Sequence, residues 1–175
     1  FSDRVAAVDA VLEQRAGDPG APALPDLREV VDRCFAFDRV EDIFSALEAE
    51  SGPHAAWAAE TLATLRRMSP ISLKITLRQL RAGATLDFED GMTMEYRIVQ
   101  RCMEGHDFFE GIRAQLIDKD RSPKWDPDTV EAIADAEVDR YFAPLGARDL
   151  VFDRARATAS RGPRGPGSRS PAARP

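Results

Sequence analysis

The chain has 175 residues, which is long enough for one domain with a hydrophobic core and too short for two of ordinary size. Apolar residues make up 43% of it and charged residues 31%, a balance that excludes a disordered or fibrous protein. The formal net charge of −6 argues against nucleic acid as the main partner, and no apolar run is long enough to cross a membrane.

Helical periodicity recurs along the sequence, and no segment alternates apolar and polar residues convincingly as a strand would, so we predict an all-α fold. The residues between 17 and 25 predict a loop, because clustered Pro and Gly are compatible with neither helix nor strand. Helices are predicted, in chain order, at about residues 3–15, 26–35, 39–51, 54–68, 71–82, 88–104, 107–117 and, as one or two short helices, 129–142.

Helix start and stop signals are densest in the second half of the chain. Ser69 followed by Pro70 is a strong start signal, because Ser caps a helix and Pro is tolerated in its first turn. Gly105 is expected as a left-handed helix end, and Asp107 with Glu110 has the spacing of a capping box. The helix after Pro70 is expected to bury Leu73, Leu77 and Leu80.

The composition divides the chain into a helical domain, residues 1–146, and a basic tail, residues 147–175. The tail holds seven Arg against two Asp, and from about Arg161 it has no core-forming residue, so we predict that this part is largely disordered. Its charge alone could attract RNA or a membrane, although a solvated tail without function is the commoner case. Because the chain begins with Phe rather than Met, we expect it to be an excised or truncated piece.

No catalytic centre can be assembled from these residues alone. Catalysis by side chains needs a nucleophile beside a base, or carboxylates with separated pKa values. The two histidines, His54 and His106, lie far apart in sequence, and His106 is expected to be a turn or interface residue. Helix caps and helix starts account for the other polar candidates, namely Ser69, Ser72, Asp107 and Glu110.

The sulfur-containing residues are expected to be buried. Cys34 and Cys102 are the only thiols, and without a Cys-x-x-Cys or a metal-ligand spacing they predict two small buried side chains and no metal site. Such free thiols fit a reducing compartment, so we expect a cytoplasmic protein. The methionines expected to fill the core are Met92, Met94 and Met103.

The run Asp118-Lys119-Asp120-Arg121 leaves two interpretations open. It can be a solvated helix end, or it can be an anion site, since Lys and Arg at a helix edge hold phosphate groups. Neither a Gly-x-Gly-x-x-Gly nor a Gly-Lys-Ser/Thr segment is present to bind a phosphate in a loop.

Several segments together resemble the C-terminal part of 3-hydroxyisobutyryl-CoA hydrolases, which belong to the enoyl-CoA hydratase/isomerase (crotonase) superfamily. The resemblance covers about residues 30–145 and is strongest over residues 69–125. The segments that carry it occur in the family's order and are Ser69-Pro-Ile-Ser-Leu-Lys-Ile-Thr-Leu-Arg-Gln-Leu80, Met94-Glu-Tyr-Arg97, Gly105-His-Asp-Phe-Phe-Glu-Gly111 and Leu116-Ile-Asp-Lys-Asp-Arg-Ser-Pro-Lys-Trp125.

The resemblance implies a parent enzyme that hydrolyses an acyl-CoA thioester in valine catabolism, with coenzyme A as part of the substrate and no covalently bound cofactor. In that family the oxyanion hole and the catalytic carboxylates lie in an N-terminal β/α spiral core, which this chain lacks. The resemblance therefore implies no catalytic residue here, and it implies that the isolated chain is inactive. The helices would cover the active site, support the missing core and contribute to subunit contacts in a possible homo-oligomer.

One binding residue follows from the resemblance. In the family, a Lys after the Asp-Phe-x-Glu-Gly segment approaches the CoA nucleotide, and Lys119 is the corresponding residue, with one extra residue in the spacing. The resemblance also gives Phe108, Phe109 and Trp125 a docking role beside plain burial. Two alternatives stay open: a hydratase or isomerase of the same superfamily, and a non-enzymatic helical interaction module.

Overall fold

The computed structural model of the chain describes residues 2–17, 20 and 24–152. In these described residues it contains helices and no strand, which confirms the predicted all-α class. The α-helices are α1 Ser2–Arg15, α2 Leu24–Cys34, α3 Val40–Ala49, α4 Ala55–Leu65, α5 Pro70–Gly83, α6 Phe88–Cys102, α7 His106–Ile112 and α8 Asp135–Phe142. The shorter turns are the 3₁₀ segments Gly52–His54 and Gly146–Arg148 and the π-helical segment Arg113–Ile117.

Most predicted helices form where the apolar periodicity places them. The exception is the stretch before α8, where only Asp135–Phe142 is helical and residues 129–134 form bends and a short turn. The basic tail was predicted for residues 147–175, and its part from residue 153 onward lies outside the described residues. No helix among the described residues is long and apolar enough to cross a membrane.

The chain divides into two compact units. The first comprises residues 1–37 and 41–64, and the second comprises residues 38–40 and 65–175.

The first unit contains α1 and α2 with most of α3 and α4. The guanidinium of Arg33 on α2 donates to the Glu50 carboxylate, just beyond α3, at 2.8 Å. The apolar face of α1 is exposed to solvent, with Val8 58% and Leu12 63% accessible. The buried apolar side chains of this unit are Val30, Cys34, Ile43, Phe44, Leu47, Ala58 and Leu62.

The second unit is built around α5, α6 and α8. Its core consists of Ile71 and Ile75 on α5, Met94 and Ile98 on α6, Ile133, and Val138 on α8. One face of α5 thus lies against α6 and α8, as i and i+4 residues on a helix share a face. This arrangement brings the ends of α5, α6 and α8 together beside the start of α7.

The predicted buried face of α5 is wrong in part. Ile71 and Ile75 are buried, whereas Leu73 and Leu77 are half-buried and Leu80 is 68% exposed. Apolar residues occupy more than one side of α5, so periodicity alone did not decide which side contacts α6. The methionines divide similarly, because Met94 is buried while Met92 and Met103 are exposed.

Candidate functional site

A buried carboxylate, Asp107, connects three segments of the second unit. Its Oδ2 accepts a hydrogen bond from Ser69 Oγ at 2.5 Å, and its Oδ1 accepts one from the backbone N–H of Asp126 at 3.0 Å. His106 Nδ1 lies 3.1 Å from the same Oδ1. With its side chain only 7% exposed, Asp107 joins the start of α5, the start of α7 and the loop around Asp126.

The predicted start of α7 is wrong in its details. Gly105 is the N-cap, with an extended φ of −93°, and it is therefore not a left-handed end of the preceding helix. Neither Asp107 nor Glu110 caps α7, because the tertiary contacts of both carboxylates replace the capping box. The start of α5 is confirmed, since Ser69 Oγ accepts a hydrogen bond from the backbone N–H of Ser72 at 3.3 Å.

A pocket of about 340 Å³ opens beside Asp107, between residues of α5, α6, α7 and α8. Hydrogen bonding to Asp107 raises the pKa of His106, and burial raises the pKa of both Cys102 and Tyr141. The Nε of Arg101 is buried and has no hydrogen-bond partner within the described part of the chain. The polar and aromatic side chains that line the pocket include Ser72, Arg101, Cys102, His106, Trp125 and Tyr141.

The residues around this pocket do not form a nucleophile–base pair. Ser69 donates its hydroxyl hydrogen to Asp107, and among the described contacts no hydrogen bond joins it to His106. Activation of a serine requires a base that accepts the hydroxyl proton and is itself held by a third group. Here a carboxylate holds both the serine and the histidine, which is an arrangement that positions helix ends.

Arg113, in the π-helical segment after α7, organises the following loop. Its guanidinium forms two hydrogen bonds of 2.8 Å with Glu110, and it donates to Asp118 at 2.6 Å and to Asp120 at 2.7 Å. The carbonyl of Ser122 accepts a further bond at 3.3 Å. Together with the backbone N–H of Lys124, this guanidinium lowers the pKa of Glu110 to about 2.

The structure places Lys119 in this loop, at the exposed end of the π-helical segment. Lys119 and Arg121 both have positive φ angles, 58° and 53°, which are uncommon for residues other than Gly, Asn and Asp. Within the described residues, neither side chain forms an ion pair, whereas Asp118 and Asp120 are both bound to Arg113. The role of Lys119 in phosphate binding therefore remains a prediction.

Sequence reasoning missed Arg113 as the centre of this cluster. The spacing of Glu110 and Arg113, three residues apart on a helix, signals one of its ion pairs. The pairs to Asp118 and Asp120 carry no comparable signal, because they depend on how the chain turns after Ile117. Sequence spacing alone therefore identifies one of the three carboxylates.

The aromatic residues assigned a docking role differ in exposure. The indole N–H of Trp125 donates to the carbonyl of Arg67 at 3.0 Å, and its ring lies against Gly111, where an added Cβ would be 3.5 Å away. Phe108 and Phe109 form an edge-to-face pair with centroids 5.4 Å apart and remain 42% and 52% exposed. Trp125 is thus used within the second unit, while the two phenylalanines keep a free surface.

The thiols differ as well. Cys34 is buried, as predicted, and Cys102 is half-buried at the pocket. Burial raises the pKa of both thiols, which keeps them protonated at neutral pH. No group of three His, Cys, Asp or Glu side chains that could hold a metal ion occurs in the residues that the structure describes.

A family model described as enoyl-CoA hydratase/isomerase matches residues 2–142. The chain is 48% identical over 122 residues to 3-hydroxyisobutyryl-CoA hydrolase, mitochondrial, of Rattus norvegicus, covering 70% of the chain and 31% of that protein. It is 44% identical over 151 residues to the protein of the same name from Danio rerio, covering 86% of the chain and 39% of the relative. The chain thus spans about a third of the length of the curated relatives it matches.

Two solved structures are also similar. A carnitinyl-CoA dehydratase from Mycobacterium thermoresistibile shares 41% identity with a TM-score of 0.71, over 83% of this chain and 41% of that chain. An enoyl-CoA hydratase from Rhodobacter sphaeroides shares 39% identity with a TM-score of 0.70, over 86% of this chain and 45% of that chain. In both comparisons the similarity extends over most of this chain and over less than half of the solved chain.

Proposed function

The chain belongs to the enoyl-CoA hydratase/isomerase family, and from this premise we propose that it is the helical C-terminal portion of a thioester hydrolase acting on 3-hydroxyisobutyryl-CoA. The observation that carries the proposal is the identity of 43–48% to relatives named as this hydrolase in five animals. Fold alone would not decide the substrate, so the proposal rests on the names of these relatives.

We propose that this portion covers the active site and supports a core that supplies the catalytic groups. The described residues offer no nucleophile–base pair, which agrees with a reactive centre located elsewhere. Among the described residues, exposed apolar side chains recur on two helices, and such surfaces mark interaction sites. One set lies on α1, with Val5, Val8, Val11 and Leu12. The other lies along α6 and its C-cap, with Phe88, Met92, Val99 and Met103, and we call it the α6 stripe.

The acyl-CoA is proposed to reach this portion through its nucleotide, with Lys119 contacting a CoA phosphate. The support is that Lys119 is exposed at a helix end and has no ion pair among the described residues. No covalently bound cofactor is needed for this role. A cytoplasmic location and a homo-oligomeric state remain proposals, and the hydrolase relatives are themselves described as mitochondrial.

A complementation assay tests this function. The chain is mixed with the part of the rat relative that it does not match, and thiol release from 3-hydroxyisobutyryl-CoA is followed with a thiol-reactive dye. We expect release by the mixture and none by the chain or the rat segment alone. Release by the chain alone would contradict the location of the catalytic groups outside it, and a silent mixture of folded partners would contradict the hydrolase assignment.

The second candidate function is hydration or dehydration of an enoyl-CoA. It is favoured by the two solved structures, whose titles name a dehydratase and a hydratase at 41% and 39% identity. A parallel mixture with the part of the Rhodobacter sphaeroides hydratase that the chain does not match compares the two functions, because hydration of crotonyl-CoA removes the conjugated double bond without releasing a thiol. Loss of ultraviolet absorbance in that mixture, with no thiol release in the mixture with the rat segment, would support the second candidate.

A further inference from the structure

In the loop after the π-helical segment, which the structure describes throughout, the acidic side chains do not form ion pairs with the neighbouring basic side chains. Asp118 and Asp120 alternate in sequence with Lys119 and Arg121, so neighbouring charges could pair within the loop. Instead, both carboxylates are bound to Arg113, at 2.6 Å and 2.7 Å. Lys119 and Arg121, together with Lys124, form no ion pair within the described residues.

This separation depends on an unusual backbone. The positive φ angles of Lys119 and Arg121 flank Asp120, and residues of this kind adopt such angles only when surrounding contacts impose them. The imposing contacts are visible. The backbone N–H of Asp118 donates to the carbonyl of Arg113 at 2.8 Å, that of Arg121 donates to the carbonyl of Ala114 at 3.0 Å, and that of Ser122 donates to Asp120 Oδ1 at 2.9 Å.

Two cations so placed can act on one ligand. Residues two apart in sequence have Cα atoms within about 7.6 Å, since consecutive Cα atoms are about 3.8 Å apart. Long Lys and Arg side chains that start this close can contact the same phosphate group, and a phosphate accepts charge-assisted hydrogen bonds from both. Both residues are exposed, so a ligand can reach them from solvent.

We propose that Lys119 and Arg121 form a two-cation site for a pyrophosphate group, and that Arg113 is its positioning residue. Arg113 does not contact the ligand. It holds Asp118 and Asp120 away from the cations and fixes the backbone that presents both. This inference rests on the proposed function for the role of Lys119, and it adds Arg121 and the Arg113 cluster to it.

A positioning role makes a prediction that simple charge attraction does not. If only net charge mattered, Arg113→Lys would leave anion affinity unchanged, and the double variant D118N/D120N would raise it by removing two negative charges. If position matters, both variants weaken binding. The Lys ammonium cannot form the planar, forked contacts of the guanidinium, and the two Asn amides do not hold the loop on Arg113 as ions do.

The test uses the full chain labelled with ¹⁵N and titrated with inorganic pyrophosphate, with shifts of the backbone amides of residues 118–124 as the readout. For Arg113→Lys and for D118N/D120N we expect an affinity lower by about tenfold, and for Lys119→Gln or Arg121→Gln a loss of about three- to tenfold. A second readout is the nuclear Overhauser effect between the amide and Hα protons within the same residue, which is strong at positive φ. For Lys119 and for Arg121 we expect this effect to weaken in Arg113→Lys.

Arg97→Lys is the matched control, because Arg97 also binds a carboxylate, that of Asp149, but lies outside the loop. It should bind pyrophosphate as the unmodified chain does. Asp118 and Asp120 are about half exposed, so D118N/D120N keeps the test valid if Arg113→Lys does not fold. Titration with coenzyme A is the second arm, and shifts at the same amides would identify its pyrophosphate as the source.

Two results would overturn the inference. One is the absence of any shift in residues 118–124 of the unmodified chain at millimolar pyrophosphate. The other is unchanged binding in Arg113→Lys together with tighter binding in D118N/D120N, which would show a charged surface without positioning. Neither depends on thiol release, so failure of the hydrolase proposal and failure of this site are separate outcomes.

Discussion

Asp107 and Arg113 each form hydrogen bonds with several partners, but Asp107 is buried and Arg113 is partly exposed. Asp107 is buried and accepts hydrogen bonds from Ser69 and the backbone of Asp126, and within the described part of the chain it is the acceptor on which both donors depend. Arg113 lies nearer the surface, with 29% of its side chain exposed, and its carboxylate partners Asp118 and Asp120 can be hydrated. The first residue is therefore expected to determine stability, and the second to determine the conformation of one loop.

Replacement of Asp107 tests the first expectation. Asp107→Ala leaves the buried Ser69 hydroxyl without its acceptor and also removes the acceptor of the Asp126 N–H, which is expected to lower the free energy of unfolding by about 1–3 kcal/mol. Urea unfolding followed by circular dichroism measures it. The control is Asp139→Ala, which removes an exposed ion pair with Arg78 and should cost less than about 1 kcal/mol. Equal effects of the two variants would contradict the role of Asp107.

Acid stability should depend on Glu110. Its folded pKa of about 2 lies below its ordinary value of 4.5, so its contribution is fully present above pH 4.5 and is lost as the pH falls from 4.5 towards 2. In Glu110→Gln, we expect a shallower decline of the free energy of unfolding over this range, measured by urea titration at several pH values. The control is Ser72→Ala, which changes no titratable group, so its free energy of unfolding should decline with falling pH as that of the unmodified chain does. Identical declines in all proteins would refute the prediction.

At the level of helices, α5 and α6 each carry apolar residues on two faces. The core uses Ile71 and Ile75 of α5 and Met94 and Ile98 of α6. The α6 stripe and Leu80 of α5 stay exposed. Because burial of apolar surface supplies most of the favourable free energy, only the buried faces should contribute strongly to the stability of the second unit.

A pair of substitutions on α5 tests which face is buried. Ile75→Ala should lower the free energy of unfolding by about 2–5 kcal/mol, because it removes buried methyl groups and leaves a cavity. Leu80→Ala should change it by no more than about 0.5 kcal/mol, because Leu80 is exposed. Both are measured by urea unfolding. The opposite order would mean that α5 buries its leucine face, as the sequence pattern suggested.

At the level of the whole molecule, exposed apolar residues recur on one face of α1 and along the α6 stripe. Apolar side chains exposed together favour association with another surface. In the proposed function, that surface belongs to the core segment that the relatives have in addition. Alone, the chain is expected to use the same faces for contacts between its own copies.

Sedimentation velocity over a dilution series should therefore show concentration-dependent association of the chain. Replacing two residues of the α6 stripe, in Phe88→Ser with Val99→Ser, should reduce this association and also the fluorescence of a bound apolar dye. Leu80→Ser is the control, because a single exposed leucine outside the stripe should matter little. A chain that stays monomeric at high concentration, without dye binding, would contradict the prediction.

The local patterns predicted the helices and the start of α5 at Ser69 correctly, because capping and apolar periodicity act over a few residues. They failed at Asp107 and Glu110, whose spacing fits a capping box. Asp107 instead bonds Ser69, 38 residues away, and Glu110 accepts the backbone N–H of Lys124, 14 residues away. A carboxylate can satisfy either role, and only the tertiary contacts of α7 with Ser69 and with the loop at Lys124 and Asp126 select between them.

The sequence by itself determined the helical class, most helix boundaries and the family, since these depend on local propensity and on motifs in order along the chain. The tertiary structure decided which face of α5 is buried and that Asp107 joins three segments. It also showed that Arg113 separates the acidic from the basic residues of its loop. The physical reason is that each of these outcomes depends on contacts between residues distant in sequence or on the turn after Ile117, and neither periodicity nor spacing encodes such contacts uniquely.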